Sequence, residues 1–348
     1  MRFLISLLLT PALVADLTTC IPHSPIHSHG TWTPLASIAD SPRQEHTTVA
    51  VGDTTIYILG GITNFLPNQT TDPTTALVQA YSILDNTWRY TAPLPMPVNH
   101  LNAAVVDGKI YVLGALKPTP ESVWRAVPDC WVYDPATDVW KTLAPMPAAL
   151  ARGSAAVGVH GTTVYLAGGL LLLDLVNNVL ATVDTVSAYD TVAGTWTTLP
   201  AAASRLPGPR DHAGAALVGH KFYVLGGREF GQANVRDTVF ALDLHDLGCG
   251  WRTSEAKMPT ARGGLAAAVV GRKVYTFGGE GNPAAGSKGV FNETEAYDTV
   301  TDSWERLVPM AVPRHASSAV GVGRRIYLPG GASAQSASPM DTFDFFES

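Results

Sequence analysis

Ionisable side chains collect at two kinds of position in the second half of the sequence. Some directly follow a pair of glycines, and others lie in short segments that lead into apolar runs. The set comprises four arginines, two glutamates and two histidines: Arg210, His212, Arg228, Glu229, Arg262, Glu280, Arg314 and His315. If these side chains converge, the arginines could bind an anionic sugar or an acidic peptide. Glutamate and histidine can also transfer protons, so the candidate catalytic residues are Glu229, Glu280 and His212.

A structural role is the alternative for the same residues. Arginine and histidine recur at equivalent places elsewhere in the chain, for example at His46, His100 and Arg152. Side chains at these places could hydrogen-bond loop carbonyls and serve only the fold. The structural role is favoured for each residue taken singly, whereas the clustering of charge favours a site whose side chains are exposed to a ligand.

The unit that positions these side chains is clearest in residues 261–310. An apolar run at residues 265–270 meets a tight turn, and a second strand ends at the pair Gly278-Gly279. A loop then leads to two further strands, which carry Tyr297-Asp298 and Trp304. One unit of four short strands cannot bury its own apolar face, so several units must stack.

Three landmarks recur six times along the chain. The glycine pair begins at Gly60, Gly168, Gly226, Gly278 and Gly330, with Gly114-Ala115 as a weaker form. The aromatic-acid corner is clearest at residues 133–134, 189–190 and 297–298, and weaker forms begin at residues 81, 242 and 343. The tryptophans are 52 to 56 residues apart: Trp32, Trp88, Trp140, Trp196, Trp251 and Trp304.

The order of the landmarks at the two ends predicts a closed ring. Trp32 has no glycine pair before it, and Phe343-Asp344 has no tryptophan after it. The N-terminal strand around Trp32 should therefore complete the last unit, which leaves no open sheet edge.

These landmarks resemble the kelch repeat, and the resemblance covers the chain from about residue 31 to residue 345. It implies an all-β fold, a six-bladed kelch β-propeller closed by the N-terminal strand. The blades are expected near residues 44–92, 98–144, 150–200, 210–255, 261–308 and 314–345, the last completed by residues 31–37.

Propeller connections fall on two faces. One face carries the tight turns within each blade and is called the tight-turn face. The opposite face carries the loops after the glycine pairs and the lead-in segments, and is called the long-loop face. Ligand sites are usually built on variable loops held by a rigid scaffold, so the long-loop face is the expected site. Its loop at residues 170–173 reads Leu-Leu-Leu-Leu, which predicts either a hairpin packed on a neighbour or a contact surface.

The N-terminus predicts export. Arg2 precedes an apolar run at residues 3–14, too short to span a bilayer, so residues 1–15 are interpreted as a secretory signal peptide and residues 16–30 as a tail. The rest of the chain predicts no membrane span. Glycosylation sequons at Asn68 and Asn292 agree with a secreted, extracellular glycoprotein.

Three cysteines remain after cleavage, at Cys20, Cys130 and Cys249. Cys130 takes the place of core valines in sister repeats and is expected to be buried and reduced. A disulfide between Cys20 and Cys249 is the hypothesis for the other two. Cys20 also begins a group of metal-ligand types with His23, His27 and His29. Prolines interrupt that group and it matches no zinc signature, so we favour a tail strapped along the propeller and expect no metal.

Composition and resemblance together bound the function. A net charge of −6 gives no reason to expect nucleic acid as a partner, and we expect a monomer without a cofactor. The predicted function is binding of a carbohydrate or a partner protein on the long-loop face. The enzyme alternative is a sugar isomerase or mutarotase, similar to the sialic-acid mutarotases of the kelch family, acting through Glu and Arg near the axis. Copper galactose oxidase chemistry is not expected, because no cysteine falls on the long-loop face.

Overall fold

The computed structural model describes residues 29–38, 41–64, 73–121, 123–174, 176–336 and 338–348. These residues form six antiparallel sheets arranged as the blades of a propeller, with strands numbered β1 to β26 along the chain. Helix is confined, within the described residues, to two single-turn 3-10 helices at Ala148–Leu150 and Leu247–Cys249. The predicted all-β, six-bladed propeller is confirmed.

Each blade runs from an inner strand near the axis to an outer strand at the rim. Blade one contains β2 Thr47–Val51, β3 Thr55–Leu59, β4 Val78–Ser82 and β5 Thr87–Tyr90. Blade two contains β6 Ala103–Val106, β7 Lys109–Pro118, β8 Trp124–Asp134 and β9 Val139–Thr142. Blade three contains β10 Ala156–His160, β11 Thr163–Ala167, β14 Val186–Asp190 and β15 Thr195–Thr197.

The remaining blades repeat that order. Blade four contains β16 Gly214–Val218, β17 Lys221–Leu225, β18 Val239–Asp243 and β19 Trp251–Thr253. Blade five contains β20 Ala266–Val270, β21 Lys273–Phe277, β22 Thr294–Asp298 and β23 Ser303–Arg306. Blade six contains β24 Val320–Val322, β25 Arg325–Pro329, β26 Phe343–Glu347 and, from the start of the chain, β1 Thr31–Pro34.

The glycine pairs are required where one blade approaches the next. Gly278 has a φ of 55°, and a Cβ there would lie 2.1 Å from the carbonyl oxygen of Arg314 in the following blade. Only glycine combines this left-handed backbone with so close an approach. The pair therefore sets the distance between neighbouring lead-in segments, which carry the residues nearest the axis.

The tryptophans join the blades at the rim. The indole Nε1–H of Trp140 donates to the carbonyl of Ala92 at 3.0 Å, and that of Trp304 donates to Ala256 at 3.3 Å. Trp32, Trp88 and Trp251 make the same kind of bond to the preceding segment. Among the described residues Trp196 is the exception, with its Nε1 buried and unpartnered. Large rings fill the wide part of the wedge between sheets, and their N–H groups fix the order of the sheets.

The ring closes through β1. This strand pairs with β26 in antiparallel register, with Trp32 opposite Phe346. The indole of Trp32 also packs at 5.5 Å against the ring of Phe277 in blade five. The predicted closure by the N-terminal strand is confirmed.

Blade three carries an additional hairpin, β12 Leu170–Asp174 and β13 Val179–Thr182, which is attached to a neighbouring sheet. Strand β12 pairs with β8 of blade two, so that sheet has six strands: β13, β12, β8, β7 and β6 in order, with β9 also paired to β8. Leu170, Leu173 and Leu180 of the hairpin are buried in one cluster with Leu116 of blade two. Of the two interpretations of the leucine run, packing on a neighbour describes the main part of the hairpin.

Several predictions concern residues outside the described ranges. The signal peptide, the tail as far as residue 28, Cys20 and Asn68 all lie there, so export and the Cys20–Cys249 disulfide stay predictions. Cys130 is buried as expected, and Cys249 is exposed, with its thiol 3.0 Å from Asp246 Oδ2. Asn292 is half-buried at the end of its loop. Among the residues that can be described, no helix is long and apolar enough to cross a membrane.

Removing the closing strand should open the ring. Deletion of residues 16–37 leaves the edge of β26 unpaired and exposes the rings of Phe277 and Phe346, each worth about 1.5–3 kcal/mol of burial. We expect aggregation, or a loss of at least about 3 kcal/mol in the free energy of unfolding, measured by urea denaturation. Deletion of residues 16–28 alone keeps β1 and is the control. Equal unfolding midpoints for the two deletions would contradict the closure.

Candidate functional site

Six residues, one from each blade, surround the axis where the lead-in segments meet. They are Glu45, His100, Ser154, His212, Gly264 and Ala316, all with φ between 50° and 60°. The backbone N–H of five of them donates to the carbonyl of the corresponding residue in the preceding blade at 2.9–3.0 Å. The sixth, that of His212, donates to Ser154 Oγ at 3.2 Å. This axial ring holds five non-glycine residues in a strained conformation, which is characteristic of functional positions.

Three axial side chains form one compact group. The Nε2 atoms of His100 and His212 are 2.9 Å apart. Glu45 Oε2 lies 3.1 Å from Nε2 of His100 and 3.8 Å from Nε2 of His212. Both histidines are buried, and the Glu45 side chain is 14% exposed. A carboxylate and two imidazoles therefore face one point on the axis.

A second layer of polar groups orients the two histidines. His100 Nδ1 lies 2.7 Å from Asn99 Oδ1, and His212 Nδ1 lies 2.7 Å from Asp211 Oδ1. Asp211 is itself fixed by Thr182, whose hydroxyl donates to Asp211 Oδ2 at 2.5 Å. Each imidazole thus turns its Nε2 atom toward the axis and its Nδ1 atom toward an oxygen acceptor.

Arg228 and Glu280 lie directly behind this group. Arg228 donates through Nε to Asp211 Oδ1 at 3.1 Å and through Nη1 to Glu280 Oε1. Its Nη2 atom is 2.7 Å from His212 Nδ1. The second oxygen of Glu280 is buried without a hydrogen-bond partner among the described groups, 3.6 Å from His315 Nδ1. The axial group is therefore part of a larger buried charge network.

Burial and charge shift the pKa values in opposite directions. Burial alone raises the pKa of Glu45, but the nearby histidines and Arg228 hold it at about 2. Burial likewise raises the pKa of Asp211, and Arg228 with His212 brings it down to about 2. Burial lowers the pKa of His100 to about 4, although Glu45 opposes that shift. At neutral pH the group thus holds carboxylates and a neutral His100.

The axial ring separates two cavities. Toward the tight-turn face lies a chamber of about 240 Å³, bounded by the inner strands and by Glu45, His100 and His212. Toward the long-loop face lies a small cavity of about 10 Å³, bounded by Glu45, His212, Arg228 and Glu280 among others. Glu45 and His212 line both. The larger space is therefore on the side of the ring opposite to the long loops.

The structure brings together four of the eight predicted site residues. His212, Arg228, Glu280 and His315 belong to the buried network. These side chains are buried and not exposed to a ligand, since Arg228 and Glu280 are only 2% and 1% exposed. Loops cover this face: Gln44, for example, donates to the carbonyl of Ser336 at 3.2 Å.

The other four predicted residues lie away from the axis. Arg262 binds Glu295 at 2.5 Å, and Arg314 binds Asp344, each within its own blade. Arg210 donates to Thr238 Oγ1 at 2.7 Å, and Glu229 pairs with Arg236 at 2.6 Å. These contacts match the structural alternative for the lead-in arginines.

Sequence reasoning missed Glu45 and gave His100 no role in a site. The signal was present: the axial residue stands two positions after the lead-in arginine in five of the six blades, at Glu45, Ser154, His212, Gly264 and Ala316. His46, one position farther, points into the wall and bonds the carbonyl of Pro329 at 3.0 Å. Aligning the lead-in segments in register would have separated the axial residues from their neighbours.

Sequence comparison finds two kelch matches within the chain. Residues 161–347 match the model of the KLHDC2/KLHL20/DRC7 Kelch-repeats domain, and residues 97–147 match that of the Kelch motif. The Kelch-like protein terF of Aspergillus terreus is 42% identical over 324 residues, which cover 92% of this chain and 68% of that protein.

More distant similarities cover smaller parts of longer proteins. Beta-scruin of Limulus polyphemus is 24% identical over 68% of this chain and 24% of its own length. Human Kelch-like protein 34 is 29% identical over 73% of this chain and 38% of its own length. The solved structure of YjhT superposes with a TM-score of 0.70 at 17% identity, covering 88% of this chain and 95% of that one. The last similarity concerns the fold alone.

Removing Arg228 should destabilise the protein strongly. Arg228→Ala leaves the Asp211 and Glu280 carboxylates buried without their guanidinium partner, which costs about 3–5 kcal/mol. The matched control is Arg236→Ala, because that arginine pairs with Glu229 at the surface and its loss should cost no more than about 1 kcal/mol. Urea denaturation of both variants, followed by tryptophan fluorescence, measures the difference. Equal unfolding midpoints would show that the network contributes nothing.

Proposed function

This chain belongs to the kelch-repeat family, and we propose that it binds a small, neutral, polar ligand in the chamber at the centre of its propeller. The observation that supports this is the position of Glu45, His100 and His212 at one end of an otherwise small-residue cavity. Ligand sites in proteins are typically concave, mostly apolar and furnished with a few converging polar groups.

The walls of the chamber leave room for a ligand because the inner strands carry small side chains. Three residues after the axial position stand Ala103, Ala215, Ala267 and Ala319, with Thr48 and Val157 in the two remaining blades. The volume of about 240 Å³ compares with ~150 Å³ for a protein cavity that holds one benzene molecule. The chamber is therefore large enough for a single sugar ring or a molecule of similar size.

The charge of the lining argues for a neutral ligand. Among the described residues that line the chamber there is no lysine and no arginine, and Glu45 contributes a carboxylate. An anionic sugar would meet that carboxylate without a compensating cation. Hydroxyl groups can instead donate to the carboxylate of Glu45. A neutral carbohydrate therefore fits this end of the chamber better than the anionic ligand expected from the sequence.

Binding is better supported than sugar isomerisation or mutarotation. Proton-transfer catalysis is most efficient when the pKa of the catalytic group lies near the working pH. The pKa of Glu45 is about 2 and that of His100 is about 4, so neither group is poised to exchange protons at neutral pH. Arg228 and Glu280, the residue types expected to act near the axis, bind each other behind the ring.

Filling the chamber should abolish ligand binding. Ala215 lines the chamber at the position where Val157 stands in blade three, so Ala215→Val reproduces a residue that the fold already accommodates. Ala215→Phe removes most of the space. We expect affinity to fall slightly in the valine variant and at least tenfold in the phenylalanine variant. Saturation-transfer NMR with a panel of neutral monosaccharides measures this, and a wild-type protein that binds none of them would contradict the carbohydrate proposal.

A partner protein is the second candidate, supported by apolar side chains on the long-loop face. Val176, in the turn of the β12–β13 hairpin, is 81% exposed, and Phe230 in the adjoining loop of blade four is 60% exposed. The two segments touch, since the backbone N–H of Phe230 donates to Thr182 Oγ1 at 3.1 Å. Leu171 and Val179 of the hairpin are also exposed. Exposed apolar side chains on neighbouring segments of one face are a feature of protein contact surfaces.

Charged substitutions should disrupt such a contact. We expect Val176→Glu combined with Phe230→Glu to abolish capture of any partner that the wild-type protein retains from an extract of the source organism. Val300→Glu is the control, because Val300 is equally exposed in the tight turn between β22 and β23. Proteins captured by the wild type and the control, but not by the double variant, support the contact surface. Identical captures by all three would exclude it.

A further inference from the structure

We propose that Glu45, His100 and His212 bind one divalent first-row transition-metal ion, such as Zn²⁺, at the end of the axial chamber. The two imidazole Nε2 atoms and one carboxylate oxygen are separated by 2.9, 3.1 and 3.8 Å. Ligand atoms about 2.0–2.1 Å from a tetrahedral ion lie ~3.3–3.4 Å from one another. The observed separations bracket that value.

The second layer presents the two imidazoles as metal ligands. Asn99 Oδ1 can only accept a hydrogen bond, so His100 carries its proton on Nδ1 and turns the lone pair of Nε2 toward the axis. Asp211 Oδ1 stands in the same relation to His212. Metal-binding histidines almost always donate their other ring N–H to a carboxylate or carbonyl oxygen in this way. Two imidazole lone pairs and a carboxylate then face one point, and a cation between them resolves their mutual repulsion.

The contacts of Arg228 differ between the ion-free and the ion-bound arrangement. Its Nη2 atom, 2.7 Å from His212 Nδ1, can only donate. Without an ion, His212 can accept that bond and place its proton on Nε2, where it donates to His100. With an ion on Nε2, that proton moves to Nδ1 and donates to Asp211, so Nη2 of Arg228 must turn away from His212 while Nε and Nη1 keep Asp211 and Glu280 as partners. The proton moves from the axis to the second layer and is not released.

The charges around the axis also favour a divalent cation. Three carboxylates, those of Glu45, Asp211 and Glu280, face a single guanidinium, that of Arg228. These carboxyl groups outnumber the one guanidinium that pairs with them, and a cation between Glu45, His100 and His212 would add positive charge to the group. Buried charge without compensation is strongly unfavourable. At the edge of this group, Glu280 Oε2 and His315 Nδ1 are 3.6 Å apart, and neither has a hydrogen-bond partner among the described residues.

The donor set selects the kind of metal. Two nitrogens and one oxygen suit Zn²⁺, and also Fe²⁺ of the kind held by two histidines and one carboxylate. Mg²⁺ and Ca²⁺ prefer oxygen ligands throughout. Three protein ligands leave the ion a free position, and all three line the chamber. A water molecule or a ligand oxygen would complete the coordination there.

The inference shares residues with the proposed ligand chamber and changes what a ligand would meet there: with the ion bound, a ligand oxygen would face the open coordination position instead of the free Glu45 carboxylate. Two other groups of metal-ligand types must be removed from the measurement: the more exposed His220, Asp243 and His245, and the N-terminal Cys20, His23, His27 and His29. All variants are therefore made in a His245→Ala background in which Cys20, His23 and His27 are also replaced by alanine. The full-length protein is stripped with a chelator and titrated with Zn²⁺ by calorimetry in the absence of any sugar, so that metal binding and ligand binding can fail separately.

We expect this background protein to bind one Zn²⁺ ion at the axis. Glu45→Gln and His100→Gln should weaken that binding by more than the ~10–100-fold that follows loss of a second-layer group. Glu280→Gln is the matched control: it removes a buried carboxylate that is not a ligand and should stay within that range. Absence of an axial ion, or Zn²⁺ affinity unchanged in both Glu45→Gln and His100→Gln, would show that the group is only a hydrogen-bonded cluster.

A second measurement is independent of whether these variants fold. Crystals of the unmodified protein soaked in Zn²⁺ are measured at wavelengths on either side of the zinc absorption edge. An anomalous peak between Glu45, His100 and His212 supports the site. A map with no peak there overturns it, whatever binds elsewhere on the surface.

Discussion

The closed ring of hydrogen bonds around the axis determines the rest of this structure. Each axial residue donates its backbone N–H to the preceding blade, so no blade can tilt or slide without breaking a bond on either side. Because the donors all have left-handed backbone, their side chains are held close to the axis instead of packing within a blade. The fold therefore places one residue from each blade at its centre, and the chemistry of the site is decided by which six residues occupy those positions.

The occupants differ sharply between the two halves of the ring. Blades five and six contribute Gly264 and Ala316, whereas blades one, two and four contribute Glu45, His100 and His212. Small residues on one side leave space, and polar residues on the other fill the centre with donors and acceptors. Burying so many polar groups is costly unless they satisfy one another. The network around Arg228 does so for most of them, and its remaining imbalance is the physical basis for the proposed cation.

Sequence reasoning predicted the fold in detail because its signals are local and repeated. The glycine pairs, the Tyr-Asp corners and the tryptophans each mark a fixed point on a blade, and the unpaired Trp32 showed how the ring closes. The site was predicted only in part, because it depends on contacts between residues from different blades, such as the 2.9 Å approach of His100 to His212. Charge alone misdirected attention to Arg262 and Arg314, whose buried partners within the same blade cannot be inferred from composition.

The pairing of β1 with β26 also governs when the molecule can be completed. Residue Thr31 lies opposite Glu347, so β1 of a nascent chain cannot pair until β26 has also been made. Domains generally fold as units during synthesis, N-terminal segments first, yet here β1 must wait for β26. Until then the apolar surface of Trp32 and the inner face of blade one remain without their neighbours. Because transiently exposed apolar surface promotes aggregation, the topology makes the chain most vulnerable to association with other chains before β26 emerges.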